Sequence, residues 1–165
     1  MSRWTHVAGV IRYDACLNRE TELRELLGKT YIWENMDHMT KKERDAYYWD
    51  WQTSIAEGNV VPYGSEGSLH YQISHQDVPI GKNGNTSLGP DTTVTIWGDL
   101  RDFGGKEDID IITNWFKKIT SKFIIRSAIL KIDDEWQDNP IILILDDDHN
   151  FPRREVITTI VDLSK

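Results

Sequence analysis

A single cysteine, Cys16, stands among 165 residues. The chain can close no internal disulfide, and such sparing use of cysteine fits a reducing compartment. No apolar run approaches the roughly 20 residues that a membrane-spanning helix requires, and Met-Ser-Arg-Trp-Thr-His does not read as a secretory signal. A membrane partner is not expected. Positive charge is also scarce: 19 basic residues against 27 acidic ones give a formal net charge of −8. A broad nucleic-acid footprint needs a dense Lys/Arg surface, so that function class is excluded. A small anionic ligand stays open, because a local pocket can be positive on an acidic protein.

Catalytic and metal motifs are missing as well. The five histidines form no set: His38-Met39-Thr40 is a lone His-x-Thr, whereas two-histidine phosphoesterases need two. Asp146-Asp147-Asp148-His149 lacks the central glycine and distant glutamate of a calcium loop and reads as a solvated hairpin tip. Asp133-Asp134-Glu135 reads the same way. Neither a metal nor a cofactor is expected.

What the chain does have is periodicity and tryptophan. At 165 residues it is long enough to bury a core as one domain spanning 1–165. From Trp4 to Asp14 the residues alternate as a strand, with Val7, Gly9, Ile11 and Tyr13 on one face and His6, Ala8, Val10 and Arg12 on the other. Asn18 would cap a helix to about Lys29 with Leu23, Leu26 and Leu27 buried. Thr40 and Glu43 form a capping box for a second helix ending near Gly58, which carries Tyr47, Tyr48, Trp49 and Trp51. Leu69, Tyr71 and Ile73 alternate with His70, Gln72 and Ser74. Gly81 to Pro90 reads as a loop or hairpin tip. Val94, Ile96 and Leu100 alternate with Thr95, Trp97, Asp99 and Arg101. A helix over Glu107 to Lys122 buries Ile109, Ile112, Phe116 and Ile119. Strands follow over Phe123 to Ile132, Pro140 to Leu145 and Arg154 to Leu163, with a turn over Asp146 to Arg154.

This order predicts an α+β fold, a ferredoxin-like split β-α-β sandwich. The 33–61 region is a helical insertion in it, and 140–165 a C-terminal β extension. Helices then cover one sheet face. The opposite face displays His70, Gln72, Thr95, Trp97, Asp99 and Arg101, joined by His6 and Arg12. Donors, acceptors and an indole on one surface make a binding platform.

Two stretches concentrate the chemistry. Gly64-Ser65-Glu66-Gly67-Ser68 has the composition of an anion nest, in which glycines let successive N–H groups turn inward. It is no P-loop, since it lacks Gly-Lys-Ser/Thr and precedes a strand. Glu66 there would repel phosphate and suits a ribose or base donor. Arg101 and Arg126 are candidates to grip phosphate or carboxylate bidentately. The alternative for each feature is structural: a plain turn, salt bridges to Asp99 or Asp102, and a solvated sheet face.

The same stretches resemble a family of small tailed-bacteriophage proteins with a Trp-Thr-His-Val-like first strand, a Gly-Ser-Glu-Gly-Ser-Leu-x-Tyr segment, a Trp-Gly-Asp-Leu-Arg-Asp-aromatic segment and an Ile-Arg-x-Ala strand. Here these are Trp4–Val7, Gly64–Tyr71, Trp97–Phe103 and Ile125–Ala128. The resemblance implies expression in the cytoplasm of an infected bacterium and brings no established activity. By analogy with accessory phage proteins that blunt host defence, the expected function is sequestration of a nucleotide-derived immune signal, a cyclic nucleotide or ADP-ribose derivative. Gly64, Ser65, Glu66, Gly67, Ser68, His70, Trp97, Asp99, Arg101 and Arg126 form the candidate ligand site, without a catalytic residue. One alternative is a phosphodiesterase using His70 or His75. A second is an acidic inhibitor that occupies a nucleic-acid-binding host protein. A homo-oligomer is compatible with the sequence, which marks no interface.

Overall fold

The computed structural model describes residues 2–13, 20–30, 38–46, 55, 60–74, 77–80, 85–88, 92–145 and 156–160; for residues 20, 77–80, 85–88 and 156–160 only the backbone is considered. The named elements among the described residues are, in chain order, β1 (Trp4–Tyr13), α1 (Glu20–Leu27), β2 (Leu69–Ser74), β3 (Asp77–Ile80), β4 (Asn85–Leu88), β5 (Thr92–Arg101), α2 (Lys106–Ile119), β6 (Ile125–Asp134), β7 (Ile141–Leu145) and β8 (Val156–Ile160). Six strands form one sheet in the order β2-β5-β1-β6-β7-β8. Every neighbouring pair in it is antiparallel. The fold is therefore α+β around an antiparallel sheet. β3 and β4 pair separately as a two-stranded ribbon, so the expected hairpin region carries more regular structure than its polar Asn-Thr-Ser composition suggests.

The strand alternation read from sequence fixes the two faces of the sheet. Val7, Ile11 and Tyr13 of β1, Leu69 of β2, Val94, Ile96 and Leu100 of β5, and Ala128, Leu130 and Ile132 of β6 are buried in one core. Leu23, Leu26 and Leu27 of α1 and Ile109, Ile112, Trp115, Phe116 and Ile119 of α2 complete that core from the helical side. Trp115, on α2, donates its indole N–H to Leu27 O at 2.8 Å and so ties the two helices together. α2 stops at Ile119, three residues before the expected end. Thr120 is the C-cap: its N–H and hydroxyl both return to Phe116 O, at 3.0 and 2.8 Å, and the next amide, Ser121 N, turns to Lys118 O at 3.2 Å, the tighter three-residue bond of a helix end. Tyr13 reaches the same end, donating its hydroxyl to Ile119 O at 3.0 Å.

Residues 41–46 are helical, and the Thr40–Glu43 capping box is formed in both directions. Thr40 N donates to Glu43 Oε2 at 2.7 Å, and Glu43 N donates to Thr40 Oγ1 at 3.3 Å. Tyr47, Tyr48, Trp49, Trp51, Asn18, Cys16, His75 and the 146–154 turn lie outside the described residues.

One reading needs correction. Asp134 is no solvated tip residue: it ends β6 on the core side and is 3% exposed. Arg3 grips it bidentately, through Nε at 2.7 Å to Oδ1 and through Nη2 to Oδ2. Alternation from Ala128 through Leu130 and Ile132 places position 134 on the buried face, and a buried carboxylate requires a partner. Arg3 also stacks beneath Trp136, 5.0 Å from the ring centroid. Burial pushes the Asp134 carboxyl up, but the Arg3 hydrogen bond and charge, with the Trp136 and Gly105 amides, hold it below the ordinary value.

Candidate functional site

Strand register lays out the face opposite α1 and α2 in rows. His70, Trp97, Ala8 and Lys131 stand side by side across β2, β5, β1 and β6. The row toward the start of β1 holds Asp99, His6 and Asp133. On the other side Gln72, Thr95, Val10, Ile129 and Ile144 form the next row. Trp97 is 44% exposed and Ile129 47%, so the middle of the face combines an indole with apolar side chains open to solvent. The His70 and Trp97 rings lie 6.0 Å apart at a 31° tilt. Together they offer two flat surfaces at one edge of the sheet.

His6 stands between two carboxylates on this face. Its Nδ1 lies 2.6 Å from Asp99 Oδ1, and its Nε2 is 3.8 Å from Glu135 Oε1. The Asp99 hydrogen bond, opposed by partial burial and aided by the charges of Asp99, Glu135 and Asp133, raises the imidazole pKa above its usual value. Sequence alternation brought His6 and Asp99 to one face. Glu135 was not anticipated, because it follows the last residue of β6.

The two glycine-bearing stretches do meet, and their glycines have a packing cause. Gly67 adopts φ +77°, and a Cβ there would strike Asp99 O. A Cβ on Gly64 would strike Arg101 O, and one on Gly98 would strike Ser68 O. The 64–67 turn thus lies directly on the backbone of the end of β5. Its amides are used there: Gly64 N donates to Gly67 O at 3.0 Å and Ser65 N to Arg101 O at 2.9 Å, while Arg101 N donates to Glu66 O at 2.9 Å. The Ser65 hydroxyl donates to Asp102 Oδ2 at 2.8 Å. Two of the amides assigned to an anion nest therefore already bond to carbonyls.

Arg101 joins this turn through its side chain. It pairs with Glu66 through Nη1 and donates from Nη2 to Ser2 Oγ at 2.8 Å. Its Nε is buried without an acceptor among the described residues, with Asp102 Oδ2 at 3.8 Å. Trp97 and Arg101 share the face of β5 opposite α1 and α2 but stand four residues apart, about 13 Å along the strand. Arg126 is not part of this group. β1 pairs Trp4 with Arg101 at one end and Tyr13 with Ile125 at the other, which separates the two arginines by about 30 Å. His70 stands beside Trp97, and His75 lies outside the described residues.

Among the described residues no three His, Cys, Asp or Glu side chains cluster as metal ligands, and no helix is long and apolar enough to cross a membrane. No protein-family model, curated protein or solved structure matches the chain.

Proposed function

We propose that this is a binding protein whose sheet face opposite α1 and α2 takes up a planar, anionic, nucleotide-type ligand. The observation that carries the reading is the solvent-open Trp97 indole beside His70. A base stacked on an aromatic side chain gains roughly 1–3 kcal/mol, and His70 extends the surface across one strand. Asp99 and His6 stand in the adjacent row and supply an acceptor and a donor for base or ribose groups. Arg101 stands at the rim with its terminal nitrogens on Glu66 and Ser2. A ligand phosphate would compete there with Glu66 for the guanidinium. Gly64, Gly67 and Gly98 hold the rim in place by letting the turn sit on β5.

In the biological setting suggested by the phage-protein resemblance, the ligand is an immune second messenger, and the protein sequesters it in the cytoplasm of the infected bacterium. We also assign the strand order, in which each helical crossover skips one strand, to the ferredoxin-like split β-α-β sandwich with a C-terminal β extension. The test is a heat-release assay. The protein is mixed with cyclic dinucleotides and cyclic ADP-ribose, washed, denatured and the supernatant chromatographed. Intact nucleotide supports sequestration. No retained nucleotide refutes it.

One observation favours a second reading. The carboxylate-oriented His6 has the arrangement of a general acid, so hydrolysis would run through His6 in place of His70 or His75. Linearised nucleotide in the same chromatogram, abolished by His6→Gln, would establish it.

A further inference from the structure

Asp99 follows Trp97 by two residues on the same face of β5, about 7 Å further along the strand. That places it within reach of the edge of a base stacked on the indole. His6 Nδ1 lies 2.6 Å from Asp99 Oδ1, which fixes the carboxylate beside the platform. Among the described residues no donor takes Oδ2. The nearest cations are already committed. Lys131, in the Trp97 row, donates from Nζ to Asp133 Oδ2 at 2.7 Å, and Arg101 pairs with Glu66 and bonds to Ser2. His6 turns its second nitrogen toward Glu135, 3.8 Å away.

The row on the other side of Trp97 holds Thr95 and Gln72, whose hydroxyl and amide both donate and accept and so suit any base. The Asp99 side is therefore the one that selects, and a carboxylate only accepts. A base must bring donors to it. Adenine and cytosine each present an amino group beside a bare ring nitrogen, whose lone pair would meet the carboxylate. Uracil and thymine present one N–H between two carbonyl oxygens. Guanine alone sets two donors side by side, the ring N1–H and the exocyclic amino group, and a carboxylate accepts both at once.

We infer that the Trp97 face selects guanine, with the ring on Trp97 and the Watson–Crick edge on Asp99, so that its ligand is a guanine nucleotide. This rests on the nucleotide reading above and names the base. The test is calorimetric titration with cyclic di-GMP, cyclic di-AMP and cyclic di-IMP, whose hypoxanthine keeps N1–H but lacks the amino group. Wild type should bind the guanine ligand at least about tenfold more tightly than the adenine ligand, with the hypoxanthine ligand between them. Asp99 is exposed, so Asp99→Asn keeps the fold, checked by circular dichroism. The amide so introduced joins one acceptor to one donor, the complement of the adenine edge, and should abolish the guanine preference or turn it toward adenine. Equal affinity of wild type for the guanine and adenine ligands overturns the inference. So does a guanine preference that survives undiminished in Asp99→Asn. Both results leave the nucleotide reading standing. Binding of none of the three ligands also overturns the inference, and the nucleotide reading falls with it only if the release assay recovers nothing.

Discussion

At the scale of single residues, three features carry measurable consequences. Gly67 combines a left-handed φ of +77° with a Cβ position that collides with Asp99 O. Gly67→Ala is expected to destabilise by about 2 kcal/mol through strain and displacement of the turn, seen as a lower urea midpoint with an unchanged slope. The Arg3–Asp134 pair is the second. Removing one partner of a buried ion pair costs about 3–5 kcal/mol, so Arg3→Ala should lower stability strongly at pH 7 by chemical denaturation. Because the Asp134 carboxyl is held below its ordinary value, its contribution is present above about pH 3.9. It is lost as pH falls through the depressed folded value. Wild type should therefore lose more stability than Asp134→Asn between pH 4 and pH 2. His6 behaves oppositely. Its pKa is raised, chiefly by the Asp99 hydrogen bond, so its contribution is complete below about pH 6.5 and is lost as pH rises through the folded value. Half-exposed, it contributes no more than about 0.5 kcal/mol. The stability gap between wild type and His6→Gln should narrow from pH 6 to pH 9.

At the scale of elements, the helices depend on each other through Trp115. Trp115→Phe keeps most of the buried ring but removes the 2.8 Å bond to Leu27 O. A loss of about 1 kcal/mol is expected, measured by thermal or urea unfolding. Elements are also where sequence reading worked best. In β1, β2 and β5, period-two alternation separated core from open face, and Trp97 landed on the side expected. The leucine stripe of α1 and the isoleucine–phenylalanine stripe of α2 were legible for the same reason, a 3.6-residue period. Asp134 was misread because three consecutive acids look solvated, although the burial of Ala128, Leu130 and Ile132 already pointed it inward. β4 was missed because Asn85-Thr86-Ser87-Leu88 has turn composition and gains its strand form from pairing with β3. The Arg101–Glu66 pair and the 30 Å gap to Arg126 depend on register between distant strands, which local pattern does not encode.

At the scale of the whole molecule, α1 and α2 cover one side of the sheet, and the other side leaves Trp97 and Ile129 open to solvent. That second side joins an indole and an imidazole near the β2 edge with apolar side chains beside them, and one end gathers His6, Asp99, Asp133 and Glu135. The opposite side carries a cavity beside α1, so strand β2 borders two distinct surfaces. The account stands on the first of them. The most direct measurement is a calorimetric titration of wild type and Trp97→Ala with whichever nucleotide the release assay recovers. The expected result is binding weakened about 5- to 150-fold in Trp97→Ala, the equivalent of about 1–3 kcal/mol of lost stacking, with an unchanged melting temperature. Equal affinity in the two proteins would contradict the account.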